Sequence, residues 1–267
     1  MTHVAAPPPR VGPLLRTWRE RRRMSQLDLA LEAGVSARHL SFVETGRSRP
    51  SRGMVLQLAA ELDVPLRDRN QLLLAAGYAP VYGQRGLDDP DMGAVREVLE
   101  QVLRGHQPYP AFVVDRHWGM LAHNQAVSVL IEGAAPELLE PPANILRLAL
   151  HPDGIAPRII NLAELRARLL GWLGRQAVST GDPALAALHE ELNGLPAEPP
   201  ASFDQAAADV AVPLRIRWRN EELSFISTIT TFARATDITV AELSIESFFP
   251  TDEATADALR GFAAEQS

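Results

Sequence analysis

The chain has 267 residues, more than one typical core requires, and a formal net charge of −7 that, averaged over the whole, argues against a nucleic-acid partner. It contains no cysteine, which removes disulfides, thiol catalysis and cysteine-based zinc sites together. All 26 basic residues are arginine and they are unevenly spread: residues 1–84 hold 12 Arg against 7 acidic residues (+5), and residues 85–267 hold 14 against 26 (−12).

The opening MTHVAAPPPR has a proline run and no apolar core of signal-peptide length, and no run approaches ~18 uninterrupted apolar residues. A soluble, cytoplasmic protein with no membrane association is expected, its residues 1–10 forming a disordered arm. The densest signal follows in Met24 to Pro50, MSQLDLALEAGVSARHLSFVETGRSRP. Ser25 is placed to cap a helix, and Asp28 falls three residues later, where an acidic side chain reaches back to the cap. Leu27, Leu29 and Ala30 are expected on one face of it. Gly34 supplies the left-handed residue that ends this helix and Ser36 caps the next. That second helix, about Ala37 to Thr45, is expected to bury Leu40 and Val43. Ala37, Arg38, Ser41 and Phe42 then stand at its front, where a recognition helix meets base edges.

Residues 11 to about 76 resemble the lambda-repressor-like, XRE-family helix-turn-helix domain of bacterial transcription regulators. Gln26 stands directly after the capping serine, and Glu44-Thr45-Gly46-Arg47 is similar to the family's E-x-G-K/R ending. Arg49-Pro50-Ser51 is similar to its R-x-P-S step into a fourth helix, about Ser51 to Leu62, and Leu66 to Ala76 supplies a fifth. The resemblance implies an all-α five-helix domain over residues 11–80 whose partner is double-stranded operator DNA. It places Gln26, Arg47 and Arg49 on the phosphate backbone, and Ser36, Ala37, Arg38, Ser41 and Phe42 at the major groove, so that the first group holds register and the second specifies.

Gly, Pro, Asp and Tyr between Tyr78 and Pro90 read as a linker. Within residues 81–106 it leads to a connector helix, Met92 to Leu103, with Val95, Val98, Leu99, Val102 and Leu103 at helical spacing. That stripe suits a core or pairing with its copy in a homodimer. The second domain, residues 107–267, opens with a strand over Tyr109 to Asp115, a turn at His117-Trp118-Gly119, a return strand Met120 to His123, and a helix begun by Asn124 as its structural cap and running to about Ile131. Helices over Asn144 to Leu150, Leu162 to Ala177 and Pro183 to Leu192 follow, then a proline-rich loop from Asn193 to Ser202. Three strand-like runs come last, Val212 to Arg219, Leu223 to Phe232 and Ile238 to Phe248, with tight turns at Asn220-Glu221 and Ala235-Thr236-Asp237. An α+β unit results, an antiparallel sheet with helices on one face.

The order strand, turn, strand, Asn-begun helix resembles the start of a PAS fold. More narrowly, Tyr109 to Trp118 (YPAFVVDRHW) and Ala122 to Ala126 (AHNQA) resemble the MmyB-like ligand-binding domain, over residues about 107 to 250. That resemblance implies a small apolar ligand between sheet and helices, with long-chain fatty acids the precedent and no other cofactor. Alternation sets Leu214, Ile216 and Trp218 against Arg215, Arg217 and Arg219, and Leu243 and Ile245 against Glu242, Ser244 and Glu246. The apolar sets, with Phe112, Val114, Trp118 and Met120, are the candidate lining, although the same residues also suit a filled core. The arginine row fits either a carboxylate anchor at a pocket mouth or a solvated face paired with acids.

No catalytic residue is expected: the chain has no G-x-S-x-G elbow, Walker loop, H-E-x-x-H or Gly-rich dinucleotide fingerprint. His117 and His123 offer a metal two ligands at most, so no metal site is expected either. The expectation is a non-enzymatic, homodimeric, sequence-specific transcription regulator that senses a small apolar ligand. The alternative is a DNA-bound scaffold whose C-terminal domain has a solid core and only dimerises or recruits a partner.

Overall fold

The computed structural model describes residues 10–196 and 212–266, so the expected N-terminal arm and the end of the 193–202 loop lie outside the described residues. Contacts divide the chain into one unit of Met1–Arg85 with Ala235–Ala241 and another of Gly86–Arg234 with Glu242–Ser267.

In the first unit, α1 (Val11–Arg21), α2 (Gln26–Glu32), α3 (Ala37–Glu44), α4 (Arg52–Glu61) and α5 (Leu66–Ala75) supply the five helices. Their ends are set locally. Ser25 and Asp28 complete both hydrogen bonds of a capping box, Ser36 accepts from the His39 amide, and Ser51 accepts from the Met54 amide. Leu15, Leu29, Leu40, Val43, Leu58 and Leu72 are buried at the centre. Gly12 is required where α1 crosses α3, because a Cβ there would come within 2.4 Å of the Val43 carbonyl oxygen. Leu27 departs from the sequence reading: it is exposed, since residues two apart on a helix point to different sides and the buried stripe runs through Leu29, Ala30 and Ala33. Asn70 on α5 pins the chain beyond it, accepting from the amides of Val81 and Tyr82 and donating to the Tyr82 carbonyl.

A buried ion pair ties α1 to α3. The Arg19 guanidinium grips the Glu44 carboxylate in two bonds, Nε to Oε1 at 2.7 Å and Nη2 to Oε2 at 3.0 Å. Arg19 also donates to the Met24 carbonyl, and Gln26 Nε2 donates to Glu44 Oε2 at 2.8 Å. The two charged side chains are only 10% and 1% exposed, so each depends on the other.

The second unit contains α6 (Gly93–Gly105), β1 (Ala111–Val114), β2 (Met120–His123), α7 (Val127–Ile131), α8 (Pro136–Leu139), α9 (Ile145–Leu150), α10 (Leu162–Thr180), α11 (Pro183–Asn193), β3 (Leu214–Trp218), β4 (Glu221–Thr231), β5 (Ser244–Pro250) and α13 (Glu253–Glu265); α12 (Ile238–Ala241) folds with the first unit. The strands form an antiparallel sheet in the order β2-β1-β5-β4-β3. Phe112, Val114, Phe225 and Phe248 face the main helical layer, while Ala111, Val113, Leu243 and Ile245 pack with Leu99 and Leu103 of α6. The connector helix thus buries one edge in this second cluster and exposes Val98 and Val102.

Several local readings change. The run Ile238 to Phe248 is not one strand: Asp237 accepts from the Thr239 amide and starts the short α12, and β5 begins only at Ser244. The β3–β4 hairpin turns at Arg219-Asn220, one residue earlier than read, with Trp218 paired to Glu221 and Arg219 at φ +53°. Asn124 is structural, but as a buried bridge and not through a side-chain cap: it accepts from the Ala111 amide and donates to the carbonyls of Leu103 and Tyr109, joining α6 to β1. Helix α13, capped by Asp252, had no counterpart in the sequence reading.

Glu44→Ala removes the carboxylate that grips the buried Arg19 guanidinium in two bonds, leaving only the exposed Glu20 at 3.9 Å. It is expected to destabilise the first unit by about 3 kcal/mol, seen as an earlier transition in urea unfolding of the full chain. An unchanged transition contradicts the role given to this pair.

Candidate nucleic-acid interface and ligand cavity

Helix α3 begins at the Ser36 cap and carries Arg38, Ser41 and Phe42 on the side away from buried Leu40 and Val43, while Ala37 is half-buried and packs against the core. Arg38 and Arg47 approach the Phe42 ring from 5.5 and 5.9 Å, so the aromatic ring organises two exposed cations. This gives Phe42 a packing role beside its place at the front of α3. Gln26 is oriented from behind by Glu44, which Arg19 holds in turn. Arg49 is placed differently from the other proposed backbone contacts. Its Nε and Nη2 donate to the Ala76 carbonyl at 3.1 and 2.8 Å, and its guanidinium lies over Tyr78, so it closes the end of α5. Arg47 has no such anchor among the described residues.

In the second unit a cavity of about 720 Å³ lies between the sheet and helices α7, α9 and α10. Phe112, Trp118, Met120 and Leu214 line it, as the sequence suggested. Val114 and Ile216 instead fill the adjacent core, and Trp218 packs edge-on against Phe262 at 5.8 Å. Leu243 and Ile245 face the α6 cluster on the opposite side. The misreading has a physical cause. Strand β5 buries apolar side chains on both of its faces, Ile245 on one and Phe248 on the other, so apolarity does not tell them apart, and it is Glu246 and Phe248 that face the cavity.

The wall at the first hairpin is built by Asp115, whose carboxylate accepts from the amides of His117 and Gly119. Trp118 adopts a left-handed φ of +70°, unusual for a bulky residue. Its indole is held by a hydrogen bond to Gln176 and an edge contact with Trp172 at 4.5 Å. The two histidines do not meet: His117 bonds to Asp182 and His123 to the Asn124 carbonyl. Among the described residues no group of three metal-ligating side chains occurs.

Four polar residues reach the cavity, and the sequence reading singled out none of them. Arg168 and Arg175, seven residues apart on α10, share a helix face, are exposed, and have no acidic partner among the described residues. Ser227 lies on β4 and Glu246 on β5; burial pushes the Glu246 carboxyl up to about 7, while the nearby Ser227 hydroxyl pulls in the other direction. The row Arg215, Arg217 and Arg219 is elsewhere: Arg215 pairs with Glu222 and Arg219 with Glu265 on a solvated face.

Residues 95–261 match the MmyB-like transcription regulator ligand binding domain, and residues 15–68 match a helix-turn-helix domain. The chain belongs to the MmyB-like transcription regulators. It is similar to uncharacterized HTH-type transcriptional regulators of Mycobacterium tuberculosis and Mycobacterium bovis, at 27% identity over 220 residues, covering 76% of this chain and 78% of each relative. Among solved structures, an RNA-binding light-oxygen-voltage receptor aligns over 96% of this chain and 62% of its own, with a TM-score of 0.27 and 14% identity. The regulator is therefore a DNA-binding transcriptional regulator with a ligand-binding domain. Among its described residues no helix is long and apolar enough to cross a membrane.

Arg38→Ala is expected to relax preference at one base pair by about 1–3 kcal/mol in a selection from randomised duplexes. Arg47→Ala should weaken all duplexes alike and lower the salt dependence by about one released ion. Equal loss on selected and random DNA for Arg38→Ala contradicts its assignment to a base.

Proposed function

We propose that the regulator reads a two-fold operator as a homodimer and that a long-chain fatty acid bound in the cavity changes its affinity for that operator. The cavity carries this reading. Its volume of about 720 Å³ falls within the range of small-molecule sites, roughly 300–1,000 Å³. Its walls are largely apolar, and Arg168 and Arg175 supply cations suited to a carboxylate. A scaffold with a solid core has no need of such a space.

A ligand acts only through its different affinity for two arrangements of the protein, and chain connectivity offers a route. Strands β4 and β5 both line the cavity, through Ile226, Ser227 and Ile229 and through Glu246 and Phe248. The segment that joins them includes Ala235–Ala241, which folds with the first unit. There the Ile238 amide donates to the Gly83 carbonyl at 2.8 Å and Arg85 pairs with Asp237 at 3.2 Å. Strands that shift around a ligand therefore pull on a segment of the DNA-reading unit. In a dimer such a pull alters the spacing of recognition helices, which must meet half-sites about 34–36 Å apart.

The test is fluorescence anisotropy of the full-length protein on a selected duplex, titrated with palmitic acid. A change in DNA affinity of about fivefold or more is expected. Ala149→Trp, which fills the cavity from α9, should abolish the change and leave ligand-free DNA binding intact. Asp237→Ala should still bind palmitic acid but transmit less of the effect. No change with saturated acids of any length would refute the reading.

A further inference from the structure

Glu246 is the one carboxyl on the cavity wall among the described residues. On the sheet it stands between Phe112 of β1 and Ile229 of β4, both apolar and both facing the same space. The residue is half-buried and borders open cavity. Ser227, diagonal to it on β4 and exposed, lines the same space. Arg168 and Arg175 face the cavity from α10, and neither pairs with Glu246. A carboxyl has room for several hydrogen bonds. A saturated chain laid over Glu246 expels water and leaves most of that capacity unmet, which weakens binding.

We propose that Glu246 and Ser227 form a polar subsite for a hydroxyl on the ligand's chain, and that the preferred ligand is a hydroxylated fatty acid, not a saturated one. This rests on the fatty-acid reading above. A hydroxyl is the group that fits, because it donates to an ionised carboxylate and accepts from a neutral acid. Burial pushes Glu246 up to about 7, so both forms are populated near neutrality. An ammonium suits only the first form and a ketone only the second.

The same chemistry predicts a pH signature. A saturated chain tolerates neutral Glu246 better than the ionised form, so its affinity falls as pH rises through about 7. A hydroxylated chain keeps a partner on both sides of that value. Among the described residues the cavity wall carries no other carboxyl and no imidazole: β1 presents Phe112, β4 presents Ile226, Ser227 and Ile229, α9 presents aliphatic side chains, and α10 presents the two arginines, while His123 of β2, registered with Phe112, bonds to the Asn124 carbonyl. The ratio of the two affinities cancels the ligand's own carboxylate.

The experiment is calorimetry on the full-length protein with palmitic acid and with its monohydroxylated isomers, the hydroxyl at successive chain positions, at about pH 6 and about pH 8. At the higher pH at least one isomer is expected to bind about tenfold more tightly than palmitic acid, with a smaller ratio at the lower pH. Glu246→Leu should bring the ratio to about one while binding palmitic acid at least as tightly as the native protein, which also shows that the variant folds. Glu246→Gln should keep a preference for the hydroxyl and lose its pH dependence. If palmitic acid binds and no isomer binds more tightly, the subsite is overturned and the fatty-acid reading stands. A preference for hexadecylamine also overturns the hydroxyl assignment, and failure of every amphiphile to bind overturns both.

Discussion

The second unit is organised by a sheet that packs apolar side chains on both faces and leaves a cavity on one of them. Behind it, Ala111, Val113, Leu243 and Ile245 close against α6. In front of it, the helical layer leaves a cavity of about 720 Å³. Protein interiors pack to the density of organic crystals, and unfilled apolar space lowers stability. Keeping this space open requires rigid walls. Asp115 folds the hairpin that presents Trp118, Gln176 and Trp172 fix its indole, and Asn124 locks α6 to β1 behind it. The left-handed backbone at Trp118 sits at this wall, in keeping with the tendency of backbone strain to gather at binding sites.

The first unit follows a different rule, in which one buried ionic contact prepares a surface. Arg19, held inside by Glu44, fixes α3 against α1, and the same carboxylate orients Gln26 at the start of α2. On the outer side of α3, Phe42 gathers Arg38 and Arg47. Bringing two cations together costs repulsion in isolation and becomes favourable against polyanionic DNA. The charge division between the two parts of the sequence, +5 before Arg85 and −12 from it onward, fits that division of labour.

What was legible in the sequence was what local chemistry determines. Ser25, Gly34, Ser36 and Ser51 act on amides or turns within a few residues, so the helix ends could be read directly. The strands β1 and β2 and the turn between them were legible for the same reason. The rest depended on distant partners. Leu243 and Ile245 looked like cavity lining because alternation identifies two faces but not what covers each. Glu246 fell on the face opposite the expected lining, because nothing in its neighbourhood announces a cavity. The anchor of Arg49 was not legible, because its acceptor, the Ala76 carbonyl, lies 27 residues away. The segment 235–241 read as a turn at Ala235-Thr236-Asp237 followed by the start of a strand at Ile238, whereas its contacts lie with Gly83 and Arg85.

The central claim is that the cavity is a binding site for an amphiphile and not an incidental gap. Native mass spectrometry of the purified full-length protein with added palmitic acid tests it most directly, with Ala149→Trp run alongside. A stoichiometric adduct of palmitic acid on the native chain that is absent from the cavity-filled variant is the result predicted here. An adduct equally abundant on both, or on neither, would contradict it.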